Sequence, residues 1–182
     1  DGMVVRVLGV GTDGLVDLEA LNQAITNETL LVSVMAVNNE IGVIQPLPEI
    51  SRICRERGAI FHSDAAQALG KIPIDVNQMG VDVMSVSGHK IYGPKGIGAL
   101  YVRRKARLKF DPLMSGGGQE MGLRSGTLAP AQCVGFGEAC ALAQQEYENE
   151  AVRLNVLFER FTEGVVSRLE GVSLNGHRTR RF

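Results

Sequence analysis

Three apolar runs, each broken off by polar residues, most narrow what this chain can fold into. Leu30–Val37 spans eight residues rich in Val and ends in Asn38-Asn39-Glu40. Ala59–His62 ends at Ser63-Asp64, and Val81–Ser87 leads into Gly88-His89-Lys90. A long apolar run suits a strand buried on both faces, as in a parallel sheet. Helical patterns fall between the runs. Asp17 stands as an N-cap before Leu18, Leu21, Ala24 and Ile25. Pro46 and Pro48 introduce a helix carrying Ile50, Ile53 and Cys54, which Gly58 ends.

Met3–Leu8 reads as a further short strand, closed by the turn at Asp13-Gly14. Ile97–Val102 reads as a strand folding back onto the sheet after Gly93-Pro94-Lys95-Gly96. Beyond the loop Ser115–Thr127 the spacing becomes helical. Two long helices are expected, Pro130 to about Glu148 and Glu150 to Leu169. Alternating strands and helices followed by helices predict an α/β domain with a mainly parallel sheet and flanking helices. Residues 1–145 are expected to form the central and C-terminal part of the larger domain. Residues 146–182 are read as a helical connection and the start of a smaller C-terminal domain that is mostly absent.

At 182 residues, with 45% hydrophobic and 21% charged, the chain can bury one sizeable core. Nineteen Lys and Arg against twenty Asp and Glu leave a net charge of −1, so no general pull toward nucleic acid is expected. No apolar run approaches the roughly 20 residues that span a bilayer. Three cysteines without CxxC spacing, Cys54, Cys133 and Cys140, argue against a disulfide framework or a structural zinc site, and favour a reducing compartment. Many of the 22 glycines cluster where backbone must approach something closely. The chain opens at Asp1-Gly2 without an initiator Met or a visible signal peptide, and stops at Arg181-Phe182. It reads as a fragment.

In open parallel sheets, ligands bind beyond the carboxyl ends of the strands. Asn39, Asp64 with Gln67, and Ser87-His89-Lys90 should therefore meet at one edge. They bring an amide, a carboxylate, a hydroxyl, an imidazole and an amine. Pyridoxal phosphate needs these groups: a lysine for its aldehyde, a carboxylate to keep its ring nitrogen protonated, neutral donors at its phenolic oxygen, and hydroxyl or imidazole at its phosphate. Each residue alone has a plainer reading. Lys90 is a surface lysine, Asp64 the N-cap of a helix over Ala65-Ala66-Gln67-Ala68, Asn39 a turn residue, and His89 a hydrogen-bonding group within a turn. His62 reads as a satisfied, partly buried histidine. Their joint placement at successive strand ends favours the cofactor.

Met35-Ala36-Val37-Asn38-Asn39-Glu40-Ile41-Gly42, His62-Ser63-Asp64-Ala65-Ala66-Gln67 and Ser87-Gly88-His89-Lys90-Ile91-Tyr92-Gly93-Pro94-Lys95-Gly96 resemble the cysteine desulfurases, class V members of the fold-type I pyridoxal-phosphate enzymes. Ser115-Gly116-Gly117-Gly118-Gln119-Glu120 and Arg124-Ser125-Gly126-Thr127 continue the match, and the last is similar to the housekeeping iron–sulfur-assembly branch. The resemblance implies Lys90 as the Schiff-base lysine, Asp64 at the pyridine nitrogen, and Asn39 and Gln67 on the phenolic-oxygen side. It implies Ser87 and His89 at the phosphate, with Thr127 reaching the phosphate of a neighbouring subunit, hence a homodimer. It further implies L-cysteine as substrate, L-alanine and an enzyme persulfide as products, and an iron–sulfur scaffold or other sulfur acceptor as partner. The compartment would be bacterial cytoplasm or mitochondrial matrix.

The family's nucleophilic cysteine lies in a C-terminal loop past the end of this chain. Cys133 and Cys140, seven apart on one helix face, and Cys54 read as packing. Lys95, the competing lysine, reads as a loop residue, and no metal ligand set is expected. Gly9-Val10-Gly11-Thr12-Asp13-Gly14 fits a dinucleotide fingerprint, but Asp17 caps its helix three residues too late, so a tight turn is the simpler reading. A selenocysteine lyase or other class V aminotransferase is the nearest alternative. An inert fragment serving only as an interaction module is the other.

Overall fold

The computed structural model describes residues 2–104, 108 and 110–182. Helix α1 (Leu18–Ala24) precedes strand β1 (Leu31–Met35), and helix α2 (Leu47–Arg57) leads to β2 (Ile60–Asp64). A short helix α3 (Val76–Met79) comes before β3 (Val83–Ser87), and β4 (Gly98–Val102) completes the sheet before helix α4 (Pro130–Val166). The strand order is β1-β2-β3-β4. The first three run parallel and β4 returns antiparallel beside β3. This is the mainly parallel α/β arrangement that the apolar runs predict.

Alternation along the strands sorts the two faces. Val32, Phe61 and Met84 turn toward α1 and α2, where Leu21, Ile25, Ile50, Ile53 and Cys54 complete the buried core. The opposite face is open at its outer strands, where Ser33 is exposed and Leu31 and Leu100 keep 50% and 54% of their surface, while Val83 on β3 is buried.

The helix ends follow the capping chemistry. Asp17 accepts from the N–H groups of Glu19 and Ala20 at 2.8 and 3.1 Å, and Gly58 closes α2 in the left-handed conformation. Asp17→Ala removes both bonds from a helix of only seven residues. It should lower the unfolding free energy by about 1 kcal/mol in urea titrations.

Two expectations are corrected. Met3–Leu8 forms no strand: Met3, Val4, Val5 and Val7 are 76–94% exposed, and nearby pairing is limited to a bridge between Val10 and Val16. An extended apolar run has nowhere to place its backbone hydrogen bonds without a partner strand. The two expected helices are one, α4, which runs through 145/146 without a break. No proline falls inside it, and the Glu150–Arg153 pair ties the turn just past the expected gap. Among the described residues no helix is long and apolar enough to cross a membrane.

Candidate active site at the strand ends

Because β1, β2 and β3 are parallel, the residues that follow them leave the same edge of the sheet. Met35 pairs with Asp64 and Asp64 with Ser85, so β1 and β2 end level while β3 runs two residues farther, to Ser87. Asn39, Asp64, Gln67 and the Ser87–Lys90 segment are thereby brought to one side.

Asp64 closes β2 half-buried, and its Oδ1 accepts from the Ala66 N–H at 2.9 Å. What it caps is a string of tight turns over 65–72 rather than the expected helix. The second carboxylate oxygen remains for other work. After β3 the chain makes a single 3-10 turn, Gly88–Ile91, with Gly88 and Ile91 buried and His89 and Lys90 exposed between them. Ser87 Oγ and His89 Nδ1 lie 2.8 Å apart. Lys90 thus stands on a turn anchored at both ends.

The turn after β1 divides its labour. Asn38 Oδ1 accepts from the N–H groups of Glu40 and Ile41, both at 2.9 Å, so the plain turn role falls to Asn38. Asn39 is exposed beside it. The end of the chain fastens this turn from outside. Arg181 Nη2 donates to the Ile41 carbonyl at 2.8 Å, the Phe182 N–H to the Gly42 carbonyl at 3.0 Å, and the Ile44 N–H to the Arg180 carbonyl at 3.0 Å. Gly42 has φ +69°, and a Cβ there would meet the Phe182 carbonyl oxygen at 2.7 Å, so both conformation and space exclude a side chain. The Arg181 guanidinium stacks 4.2 Å from the centre of the Phe158 ring on α4.

Gln67 is half-buried in the turns after β2, its Oε1 accepting from Lys71 Nζ at 2.8 Å. Sequence reasoning missed Lys71. The signal was its spacing of four from Gln67, which brings two side chains together when the backbone coils. Thr127 is exposed in the loop before α4. That loop is held by the Gly126 N–H donating to Gln119 Oε1 at 3.0 Å. Among the described residues no hydrogen bond joins Thr127 to the strand-end set.

His62 sits one register step inside the edge, bridging three strands. Ser33 Oγ lies 2.8 Å from its Nδ1 and Ser85 Oγ 3.3 Å from its Nε2, the satisfied histidine the sequence predicts. Burial lowers its pKa below the ordinary 6.5, with the Asp64 charge partly opposing. The folded chain therefore takes up this proton less readily than the unfolded one. Its contribution to stability is whole above about pH 6.5 and is lost as pH falls from there through the lowered value. Unfolding free energies from urea titrations at pH 7.5 and below should drop more steeply for wild type than for His62→Asn, by at most about 1.4 kcal/mol per pH unit, the limit for one proton.

Burial works against two of the cysteines as nucleophiles. Cys54 is buried, its thiol pushed up to about 11 mainly by burial, and burial also raises Cys140. A thiol so shifted carries almost no nucleophilic thiolate near neutral pH. Lys95 is an exposed loop residue whose carbonyl accepts from Gln132 Nε2 at 3.3 Å. The Gly9–Gly14 loop closes on itself, with the Gly14 N–H on the Gly11 carbonyl at 2.9 Å, ahead of the Asp17 cap.

The donor set on the edge fits pyridoxal phosphate: an accessible amine at Lys90, a carboxylate with an uncommitted oxygen at Asp64, two carboxamides at Asn39 and Gln67, and a hydroxyl–imidazole pair on a turn. No cluster of three metal-ligating side chains occurs among the described residues.

Comparison with known proteins gives the family. Residues 1–181 match the family described as aminotransferase class-V. The cysteine desulfurase IscS of Rickettsia typhi is 56% identical over all 182 residues, which cover 44% of that protein. Among solved structures, DndA from Streptomyces lividans superposes with a TM-score of 0.88 at 38% identity, over 97% of this chain and 50% of that one. SspA in complex with cysteine gives a TM-score of 0.73 at 42% identity, over 84% of this chain and 46% of that one. The chain spans less than half the length of the curated relatives it matches.

Proposed function

Because the chain belongs to the class-V aminotransferase family, we propose that it forms the centre of a pyridoxal-phosphate enzyme that removes sulfur from L-cysteine. The products are L-alanine and a protein-bound persulfide that feeds iron–sulfur cluster assembly. The observation that carries this reading is the convergence of Asp64, Gln67 and the Ser87–Lys90 turn beyond the carboxyl ends of parallel strands. The likeness to proteins named cysteine desulfurase, and to a structure holding cysteine, supports the substrate.

Pyridoxal phosphate, when bound, supplies an aldehyde for amines and a ring that draws electrons from the bonds around the substrate α-carbon. Lys90 would provide the amine that holds the aldehyde, and its Nζ would be the group placed to move a proton at the substrate α-carbon. Asp64 keeps the proton on the ring nitrogen. Asn39 and Gln67 offer carboxamide N–H groups to the phenolic oxygen, while Ser87 Oγ and His89 bind the phosphate. Thr127 serves the phosphate of a second subunit in a homodimer. The sulfur-accepting thiolate is none of Cys54, Cys133 and Cys140. A division between domains at 145/146 then falls inside α4, which acts as a rigid connection between a cofactor-binding part and a smaller one.

The test is a titration of the chain with pyridoxal phosphate, followed by borohydride reduction and peptide mass mapping. One saturable adduct at Lys90 supports the reading. A folded sample with no adduct, or with label scattered over Lys95 and other surface lysines, overturns it. In a polypeptide extended to the relatives' length, with a dithiol added to reduce the persulfide, equal yields of sulfide and alanine from L-cysteine separate desulfuration from keto-acid-dependent amino transfer and from action on selenocysteine alone.

A further inference from the structure

We propose that Lys71 is a positioning residue of this site: its ammonium fixes the Gln67 carboxamide so that the NH2 group, and not the oxygen, is presented to the cofactor's phenolic oxygen. The inference rests on the reading that Gln67 faces that oxygen. It turns on one bond, from Lys71 Nζ to Gln67 Oε1 at 2.8 Å. An ammonium has three donors and no acceptor. The atom it meets must therefore be the carboxamide oxygen, which leaves Nε2 as the group on offer. A glutamine free to rotate would present either end, and its carbonyl oxygen would repel a phenolic oxygen bearing negative charge.

The lysine is held as firmly as this role requires. Successive turns place it four residues beyond Gln67, with the Leu69 N–H on the Ala65 carbonyl and the Lys71 and Ile72 N–H groups on the Ala68 carbonyl, each at 3.0 Å. Gly70 turns the chain at φ +71°. A Cβ there would stand 2.8 Å from Ala143 Cβ on α4 and 3.0 Å from Ile91 Cγ2 on the lysine-bearing turn, so the Gln67–Lys71 segment is clamped between those two elements. The half-buried ammonium lies 5.3 Å over the centre of the Phe182 ring. The aromatic face and the amide oxygen together fix the amine. Burial, and then the charge of Lys90, hold the Lys71 pKa below the usual lysine range, which places Lys71 within electrostatic reach of the reactive amine.

Two variants test the proposal in this chain. Lys71→Met keeps the aliphatic stem and removes the donor; Lys71→Arg keeps a donor. Without cofactor, the 15N relaxation of the Gln67 side-chain amide should report an ordered group in wild type and Lys71→Arg, and a mobile one in Lys71→Met. With pyridoxal phosphate itself as probe, Lys71→Met should weaken binding about tenfold, the loss expected for one hydrogen bond to a charged group. Gln67→Ala should do the same, the double variant should be no worse than Gln67→Ala alone, and Lys71→Arg should restore most of the loss. An amide equally ordered in Lys71→Met, or losses that multiply in the double variant, would overturn the assignment. If wild type takes up no pyridoxal phosphate while amide order still follows Lys71, the functional reading fails and the positioning of Gln67 stands.

Discussion

Lys90→Ala should leave a folded chain that forms no borohydride-fixable adduct with pyridoxal phosphate, where wild type forms one. The loss should be complete, because it removes the nitrogen that makes the bond. Little else should change. The Lys90 side chain is exposed and makes no hydrogen bond among the described residues, while the turn that carries it is anchored by buried Gly88 and Ile91. The unfolding free energy from urea titration should therefore stay within about 0.5 kcal/mol of wild type. Lys95→Ala is the matched control, five residues along in an exposed loop; its adduct should persist in full. Peptide mapping of the two variants side by side decides which lysine is reactive. An adduct that survives Lys90→Ala at one new position would move the assignment there.

Asp64→Asn should separate chemistry from structure in the same way. The Asp64 Oδ1 accepts from the Ala66 N–H at 2.9 Å, and an amide oxygen in its place still accepts. The turn after β2 is kept and the negative charge is lost. Turnover in the extended enzyme should fall roughly 10²–10³-fold, the usual scale for removing one preorganised charge-stabilising group. The unfolding free energy should barely move. Asp64→Ala loses the cap as well, and should add about 1 kcal/mol of instability to a similar kinetic loss. Steady-state rates and urea titrations of both variants give the comparison. A rate near wild type in Asp64→Asn would remove this carboxylate from the chemistry.

The parallel part of the sheet was legible because its signal is local. Leu30–Val37, Ala59–His62 and Val81–Ser87 each carry enough apolar surface to demand burial, and the polar residues behind them mark where the strands stop. Asp17 and Gly58 did the same for the helix ends through the backbone groups they satisfy. Met3–Leu8 was misread because β-forming side chains state a preference and pairing decides the outcome. The pairing partner is not written in the run itself. The break expected near Asn149 failed because a weak helix former on an exposed face costs only a fraction of a kcal/mol, which one i,i+3 ion pair offsets.

Of the strand-end residues, those whose backbone follows a strand were readable, since topology alone carries them to one edge. The partners that orient them were not. Lys71 looks like any turn lysine until the coiling of 65–72 brings it onto Gln67. Nor did anything near Asn39 announce that Arg181 and Phe182 would fasten its turn, because that bond joins residues 140 positions apart.

That separation sets an order of events during synthesis. The helix caps, the packing of α2 on β2 and the lysine turn involve neighbours, and can form as soon as their own residues leave the ribosome. The bonds to Ile41, Gly42 and Ile44, and the aromatic face under Lys71, all wait for residues 180–182. Contacts so distant in sequence form last and slowly, after the closure entropy of the intervening chain has been overcome. The turn bearing Asn39 and the ring beneath Lys71 are thus set later than the sheet edge they flank.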